Sequence, residues 1–520
     1  MKTLLVEIFT EELPPKALQR LGDAFARSLT EGLAARGLCE ANSSFIGYAT
    51  PRRLAVSIPL VHALAADQPF TEKLMPVSVG LDKDGQPTPA LLKKLAAKSL
   101  THIDPTQLAR ESDGKAEQLV YRGVAPGLTL AVGLQAALDA ALEALPTPKR
   151  MAYQLADGDT TVQFVRPAHG LVALHGETIV PVQALGLQAG RVTHGHRFQG
   201  AAEIVLHHAN EYEAKLSQEG GVIPGFAVRQ QEIERLLFER AEEHGASLGE
   251  REDYLALLDE VTALVEYPTV YAGAFDSEFL SVPAECLILT MKLNQKYFPL
   301  FLADGSLSSR FLIVSNMRLD NPHNIIQGNE RVVRPRLADA RFFFETDKKT
   351  KLIDRVDKLA NVVYHNKLGN QLARMQRVQK LAGQIAQLMG ADSAQAERAA
   401  MLAKADLLTD MVGEFPELQG TMGRYYARHD GEPAAIADAI EQHYWPKGAG
   451  GALPTNPVAL SVMLADKLET LAGLFGIGQQ PTGDKDPFAL RRHALGVIRA
   501  LTETGISINL HTLTQIAFDA

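Results

Sequence analysis

Short apolar runs and one long helical stripe alternate along the first half of this chain. TLLVEIF has the length of a strand, and the Pro14-Pro15 pair ends it. From Lys16, the residues Leu18, Leu21, Phe25, Leu29 and Leu33 recur at helical spacing, which predicts a helix closed by Gly37. RRLAVSIPLV reads as another strand, and GLDKDGQPTPALLKKLAAKSL as a turn before a short basic helix. A further helix is expected from about Ala125 to Leu145, ending at the proline pair of LPTPKRM. Strand-like pieces then return in TVQFVRP, LVALHG, ETIVPVQALGL and AEIVLHH. They recur in TALVEYPTVYAGAF, KYFPLFLADG and RFLIVSNM, beyond a helix near Gln230 to Gly245.

From about Arg336 the pattern becomes almost entirely helical. Leu368, Leu372, Met375, Val378, Leu381, Ile385 and Leu388 keep one stripe spaced by three and four residues. Further helices are expected over Gln395 to Val412, Leu418 to His429, Pro433 to Tyr444, Pro457 to Phe475 and Pro487 to Thr504. The reading is a mixed α+β body over residues 1–335, divisible near residue 150, followed by an all-α domain over residues 336–520.

A chain of 520 residues is too long for a single core, so several domains fit its length. Two cysteines, Cys39 and Cys286, exclude a disulfide framework and a cysteine-based zinc site, and suit a reducing cytoplasm. MKTLLVEIFTEEL does not read as a signal peptide, because Glu7 interrupts an apolar run that is already short. No window approaches the apolar length of a membrane span. A net charge of -9 argues against non-specific coating of nucleic acid, yet it leaves room for a local basic surface.

The common phosphate-loop, zinc-protease, C-x-x-C and serine-elbow signatures are absent. Fifteen histidines offer no pair with convincing ligand spacing; His207 and His208 are adjacent and would face opposite sides of a strand. The densest basic segment is GNERVVRPRLADARFFFETDKK, with Arg331, Arg334, Arg336 and Arg341 within eleven positions. Arginine forks suit phosphates and carboxylates alike. Mixed charge beside three phenylalanines favours pairing with Glu330, Asp339 and Glu345 at a domain junction over a ligand site. RVTHGHRFQG places Arg191, His194, His196 and Arg197 around a glycine. It suits either a grip on a phosphate or base edge, or a solvated strand-to-strand connection.

In PTGDKDPFALRRHALG, Asp486 before Pro487 reads as an N-cap with proline at the first helical position. Phe488, Leu495 and Ile498 are expected to form that helix's buried stripe, with Arg491 and Arg492 one turn in. Capping accounts for the pattern, although Lys485 and the helix N-terminus would also accept a phosphate. His365, Asp406 and Asp466 follow in an order that resembles a metal-dependent HD domain. Ala405 stands where that family needs a histidine, so the resemblance implies degenerate positions and no metal site.

The motifs LLVEIFTEELPP, YATPRRLAV, LPTPKRM, FVRPAHGLVAL, THGHRF, the Arg331 segment, YHNKLG, KADLLTDMVGEFPELQGTMGRYYA and PTGDKDPFALRR occur in one order. Together they resemble the β subunit of bacterial glycyl-tRNA synthetase, over nearly the whole chain. The resemblance implies a cytoplasmic α2β2 assembly in which a separate α subunit carries the class II core and forms glycyl-adenylate from ATP and glycine. ATP and Mg2+ are then expected at the α subunit, with no cofactor and no catalytic residue on this chain. This subunit would bind tRNA(Gly), largely through phosphates and shape. The implied contacts are Arg191, His194, His196 and Arg197; Arg331, Arg334 and Arg336; and Lys485, Arg491 and Arg492.

Family members carry an HD-like helical domain and continue into a C-terminal anticodon-binding domain. This chain stops at HTLTQIAFDA, where that domain is expected to begin, so either a truncated chain, the favoured reading, or an unusually short gene product is expected, without anticodon contacts. Two other readings compete: a nucleotide-directed HD-type phosphohydrolase, and a non-catalytic scaffold binding only protein.

Overall fold

The computed structural model describes all residues except 99, 102 and 113–115; Ser99, near the end of the expected basic-helix segment, therefore lies outside the described residues. The chain forms a mixed α/β protein whose C-terminal part is helical. It divides into two compact units: Met1–Arg240, Glu250–Tyr271 and Val314–Asp320 in the first, and Ala241–Gly249, Ala272–Ile313 and Asn321–Ala520 in the second.

The first unit is built on a five-stranded antiparallel sheet with Lys2–Thr10 in its middle, between Ala168–His175 and Arg53–Val61. Alternate residues of the central strand serve two cores. Leu4, Val6 and Ile8 pack with Leu18, Leu21, Phe25 and Leu29 of helix Pro15–Ala34, as the helical stripe predicts. Leu5 faces the other way, joining Tyr48, Val172, Leu174, Leu206 and Tyr212. Each such apolar side chain, once buried, contributes about 1.5–3 kcal/mol.

Between these elements lies a smaller layer that the sequence pattern does not reveal. Strands Gln68–Pro76, Ala109–Ser112 and Glu117–Ala125 form a three-stranded antiparallel sheet against helix Pro89–Ala97. The helix expected from Ala125 begins instead at Leu130, because residues up to Ala125 pair with Gln68–Pro76. Helix Arg251–Thr262 is likewise an addition to the sequence reading.

In the second unit, helix His323–Asp347 runs for 25 residues, so the expected division at 335–336 falls inside it. Proline usually breaks a helix interior. Here Pro335 stands on the exposed side, while Val333, Leu337, Ala340 and Phe344 keep a buried stripe on the other. Helix Gln371–Met389 packs on Ser393–Leu402 and Pro457–Gly476, with its expected Met375, Val378, Leu381 and Ile385 in the core. The last expected helix starts at Leu490, not Pro487. Its buried face also differs from the expected one: Phe488, Leu495 and Ile498 are exposed, and Leu490, Val497 and Ala500 are buried.

Each unit is organised around a buried arginine. Arg53 is fully buried, and its guanidinium donates to Thr50 Oγ1 at 3.1 Å, to Glu266 at 3.3 Å and to the His194 carbonyl at 3.0 Å. Glu7 lies 3.7 Å away and accepts from Thr193 at 2.6 Å and from the Tyr212 hydroxyl. Burial disfavours the Arg53 cation, but the charges of Glu266 and Glu7 outweigh it and raise its pKa. In the second unit Arg374 donates to Glu469 and to Asp466 at 2.9 Å each and to Thr470 at 2.8 Å.

A buried ion pair contributes little net stability against an apolar substitute, yet breaking it strands a charge. Arg53→Met removes the cation paired with Glu7 and Glu266. It is expected to cost about 3–5 kcal/mol, measured as a drop in the urea midpoint of the first unit. A loss below about 1 kcal/mol would mean that the carboxylates relax without Arg53.

Candidate nucleic-acid interface

The segment 191–200 forms a strand-to-strand connection. Val192–Thr193 pairs with Ile204–Val205, and the intervening loop folds back on Gly220. Gly200 allows this approach, since a Cβ there would lie 1.9 Å from the Gly220 carbonyl oxygen. Arg191 donates to the Glu177 carbonyl at 3.0 Å. The His194 ring sits 4.7 Å from Phe9, with Nδ1 2.7 Å from the Ala202 carbonyl.

His196 is 2% exposed, and its Nδ1 accepts the Phe198 and Gln199 amides at 3.2 Å. It braces the loop from inside. Arg197 is exposed but engages Glu11 at 3.2 Å and Glu12 at 3.5 Å. Burial opposes ionisation of Glu11, but Arg52, His169 and Arg197 together hold its pKa below the ordinary carboxylate value. Of this group, His196 presents no surface, and the others are partly committed within the fold.

Helix His323–Asp347 displays its arginines on the side away from the buried stripe. Arg331 donates to Gln327 at 3.1 Å, Arg334 pairs with Asp276 at 3.2 Å and Arg341 with Glu278 at 2.9 Å. Arg336 is exposed, and among the described residues no carboxylate pairs with it. The expected locking partners differ: Glu330 accepts the Ala274 amide at 2.9 Å, and Glu345 pairs with Lys348 at 2.7 Å. Asp347 provides the structural anchor of this motif. Its carboxylate accepts the Asp410 and Met411 amides at 2.9 and 3.0 Å and the Tyr426 hydroxyl at 2.8 Å.

The Lys485 segment is a tight turn, with Lys485 and Thr482 exchanging backbone hydrogen bonds. Asp486 does cap the following helix, although from four residues before it. Its oxygens accept the Leu490 amide at 2.9 Å and the Arg491 amide at 3.0 Å, which lowers its pKa. Ala489 bridges the two in a left-handed conformation at φ 54°. Lys485, Arg491 and Arg492 are exposed.

His365, Asp406 and Asp466 do not assemble a metal site; among the described residues no group of three His, Cys, Asp or Glu is placed to hold one. His365 meets Phe488 at 6.0 Å. Asp466 is held by Arg374 and by Lys404 at 3.8 Å, and these cations overcome burial to keep it ionised. Asp406 is fully buried, with one oxygen on the amides of Gly420 at 2.5 Å and Gly423 at 3.1 Å. Burial pushes its pKa up to about 6.

Sequence reasoning passed over Lys404, Tyr444, Lys467 and His493, which gather near these carboxylates, and Lys447, which lines a cavity with the last three. One signal was available: helix Pro457–Gly476 is buried on almost every side, so Lys467 within it needs a reason.

The family model for the glycyl-tRNA synthetase beta subunit matches residues 4–520. Glycine–tRNA ligase beta subunits of Dechloromonas aromatica and Aromatoleum aromaticum are each 58% identical, over 99% and 98% of this chain. That of Thiobacillus denitrificans is 59% identical over 99% of it. The chain spans 74%, 72% and 74% of those three proteins. With a match from the first strand to the final helix, the chain belongs to the glycyl-tRNA synthetase beta subunit family.

Proposed function

We propose that this chain is the tRNA-binding, non-adenylating subunit of glycine–tRNA ligase. In this reading a separate α subunit forms glycyl-adenylate from glycine and ATP with Mg2+. The α2β2 assembly, working in the cytoplasm, then transfers glycine to the 3′ end of tRNA(Gly). The observation that carries the reading is the family match over residues 4–520, together with exposed arginines that lack carboxylate partners. Arg336, Arg331, Arg491 and Arg492 are the contacts favoured by exposure. His196 is assigned to the loop's interior.

An HD-like ancestry for the helical domain is part of the same proposal. Asp406 then serves as a structural acceptor for two backbone amides, where an active HD enzyme would use it as a metal ligand. A phosphohydrolase reading is disfavoured by Ala405 and by the engagement of Asp466 with Arg374.

Mixing this chain with the α subunit of the same organism is expected to give co-elution at the α2β2 mass on size-exclusion chromatography with light scattering. Separate peaks from two folded proteins would remove assembly from the reading. Arg336→Ala is expected to weaken tRNA(Gly) binding and reduce the log–log salt slope by about one unit. His196→Ala should leave that slope unchanged while costing about 1–3 kcal/mol of stability, since two amides lose their acceptor. The opposite pattern would place recognition in the 191–200 loop.

Asp406 also carries a pH signature. Its folded pKa of about 6 lies above the ordinary 3.8, so the folded state holds an extra proton between these values. Stability from this group therefore falls as pH rises through that window. Asp406→Asn keeps an acceptor for both amides and is expected to raise the melting temperature at pH 7.5. The gain should shrink toward pH 4. A loss of stability at pH 7.5 would show that the ionised carboxylate is needed.

A further inference from the structure

At the start of helix Leu490–Glu503, the helical unit has an open cavity of about 280 Å3 lined by Lys447, Lys467, Arg492, His493, Tyr444 and Glu417. Its size lies just below the range of about 300–1,000 Å3 common for organic ligands, which suits a small anion with a few waters. Three cations face one carboxylate there.

Elsewhere in this unit the buried cations Arg374 and Lys404 contact Asp466. Lys467 differs: it is 5% exposed, and among the described residues it has neither an ion-pair partner nor a hydrogen bond. Burial disfavours its ammonium, and the nearby charge of Asp466 offsets this only in part. Gly496 accommodates its stem, because a Cβ there would lie 2.9 Å from Lys467 Cε. His493 Nδ1 and the Tyr444 hydroxyl are also buried without hydrogen-bond partners. Other buried side-chain atoms among the described residues also lack partners, but these two belong to residues that line this one cavity beside three cations.

We propose that this cavity is a phosphate-binding site, with Lys467 at its base, Arg492 and Lys447 at its mouth, and Tyr444 and His493 as neutral polar partners. Glu417 is the one carboxylate among these lining residues, so cations outnumber it three to one. Lys467 supplies a point charge in a poorly hydrated setting and Arg492 a planar fork, a pairing suited to phosphate oxygens. The phosphate comes either from RNA or from a free anion or mononucleotide. The cavity does not depend on the subunit reading, which bears only on the first source.

The test is calorimetric titration and thermal melting of the full 520-residue chain with inorganic phosphate and with AMP, against chloride at matched ionic strength. Phosphate is expected to bind saturably and raise the melting temperature. Lys467→Met, which retains the stem's volume, should weaken binding about tenfold or more, the loss of one charge-assisted hydrogen bond. Should that variant fail to fold, the surface double variant Lys447→Gln/Arg492→Gln is expected to show the same loss.

No phosphate-specific stabilisation, or stabilisation unchanged in folded variants, would overturn the proposal. Given phosphate binding, competition by tRNA(Gly) assigns the site to RNA, and its absence assigns it to a free anion. Failure of tRNA to bind at all would count against the subunit reading while leaving the phosphate result standing.

Discussion

Arg53 sits with no exposed surface in the middle of the first unit, and the surrounding sheet is arranged so that its charge is tolerated. A lone guanidinium in that position would carry a heavy desolvation penalty. Glu7 from the central strand and Glu266 from near the unit's other end supply the opposing charges, while Thr50 accepts from Nε and the His194 carbonyl from Nη2. This requirement ties together motifs that are distant along the chain. TLLVEIF, YATPRRLAV and THGHRF lie far apart in sequence, and each contributes a member of one hydrogen-bonded cluster. It also explains Glu7, a carboxylate in an otherwise apolar strand: its side shares a face with Arg53, not with the helix.

The helical unit applies the same constraint with different residues. Arg374 spans Asp466 and Glu469, and Lys404 rests over the Tyr444 ring at 3.7 Å while facing Asp466. Burial lowers the Lys404 pKa to about 8, partly offset by Asp466. Two positions that resemble metal ligands in the sequence are therefore engaged from within the protein, Asp466 by cations and Asp406 through one oxygen by backbone amides. Against this background an unpaired Lys467 stands out. Arg229 is also buried without a carboxylate pair, but its guanidinium donates to the Thr262, Ile223 and Ala49 carbonyls, whereas Lys467 has no such acceptors among the described residues.

The same distinction sorts the candidate contacts. His196 and Arg336 are equally plausible from residue type, since either side chain recognises phosphate. In the fold, His196 binds two amides of its own loop and Arg336 projects from a helix. Arg197 is exposed, yet two glutamates share its charge. Residue type indicates the available chemistry; orientation determines whether that chemistry reaches a partner. Lys447, Lys467 and His493 escaped sequence analysis because their common cavity is assembled from three separated segments, and no spacing rule connects them.

The sequence by itself determined the elements with one dominant face: the Leu18–Leu33 helix, the Met375–Ile385 stripe, the central strand, and membership of a family recognisable from colinear motifs. These depend on local periodicity and local chemistry, which a linear text preserves. The short strands at 68–76, 109–112 and 117–125 became visible only in three dimensions, because each is stabilised by pairing with the others and not by its own pattern. The start of the last helix at Leu490, like the exposure of Leu495 and Ile498, was also a tertiary decision. Asp486 can cap from more than one distance, and the packing of Leu490, Val497 and Ala500 selects the register. Long-range burial chose among conformations that local preference left nearly equal in energy.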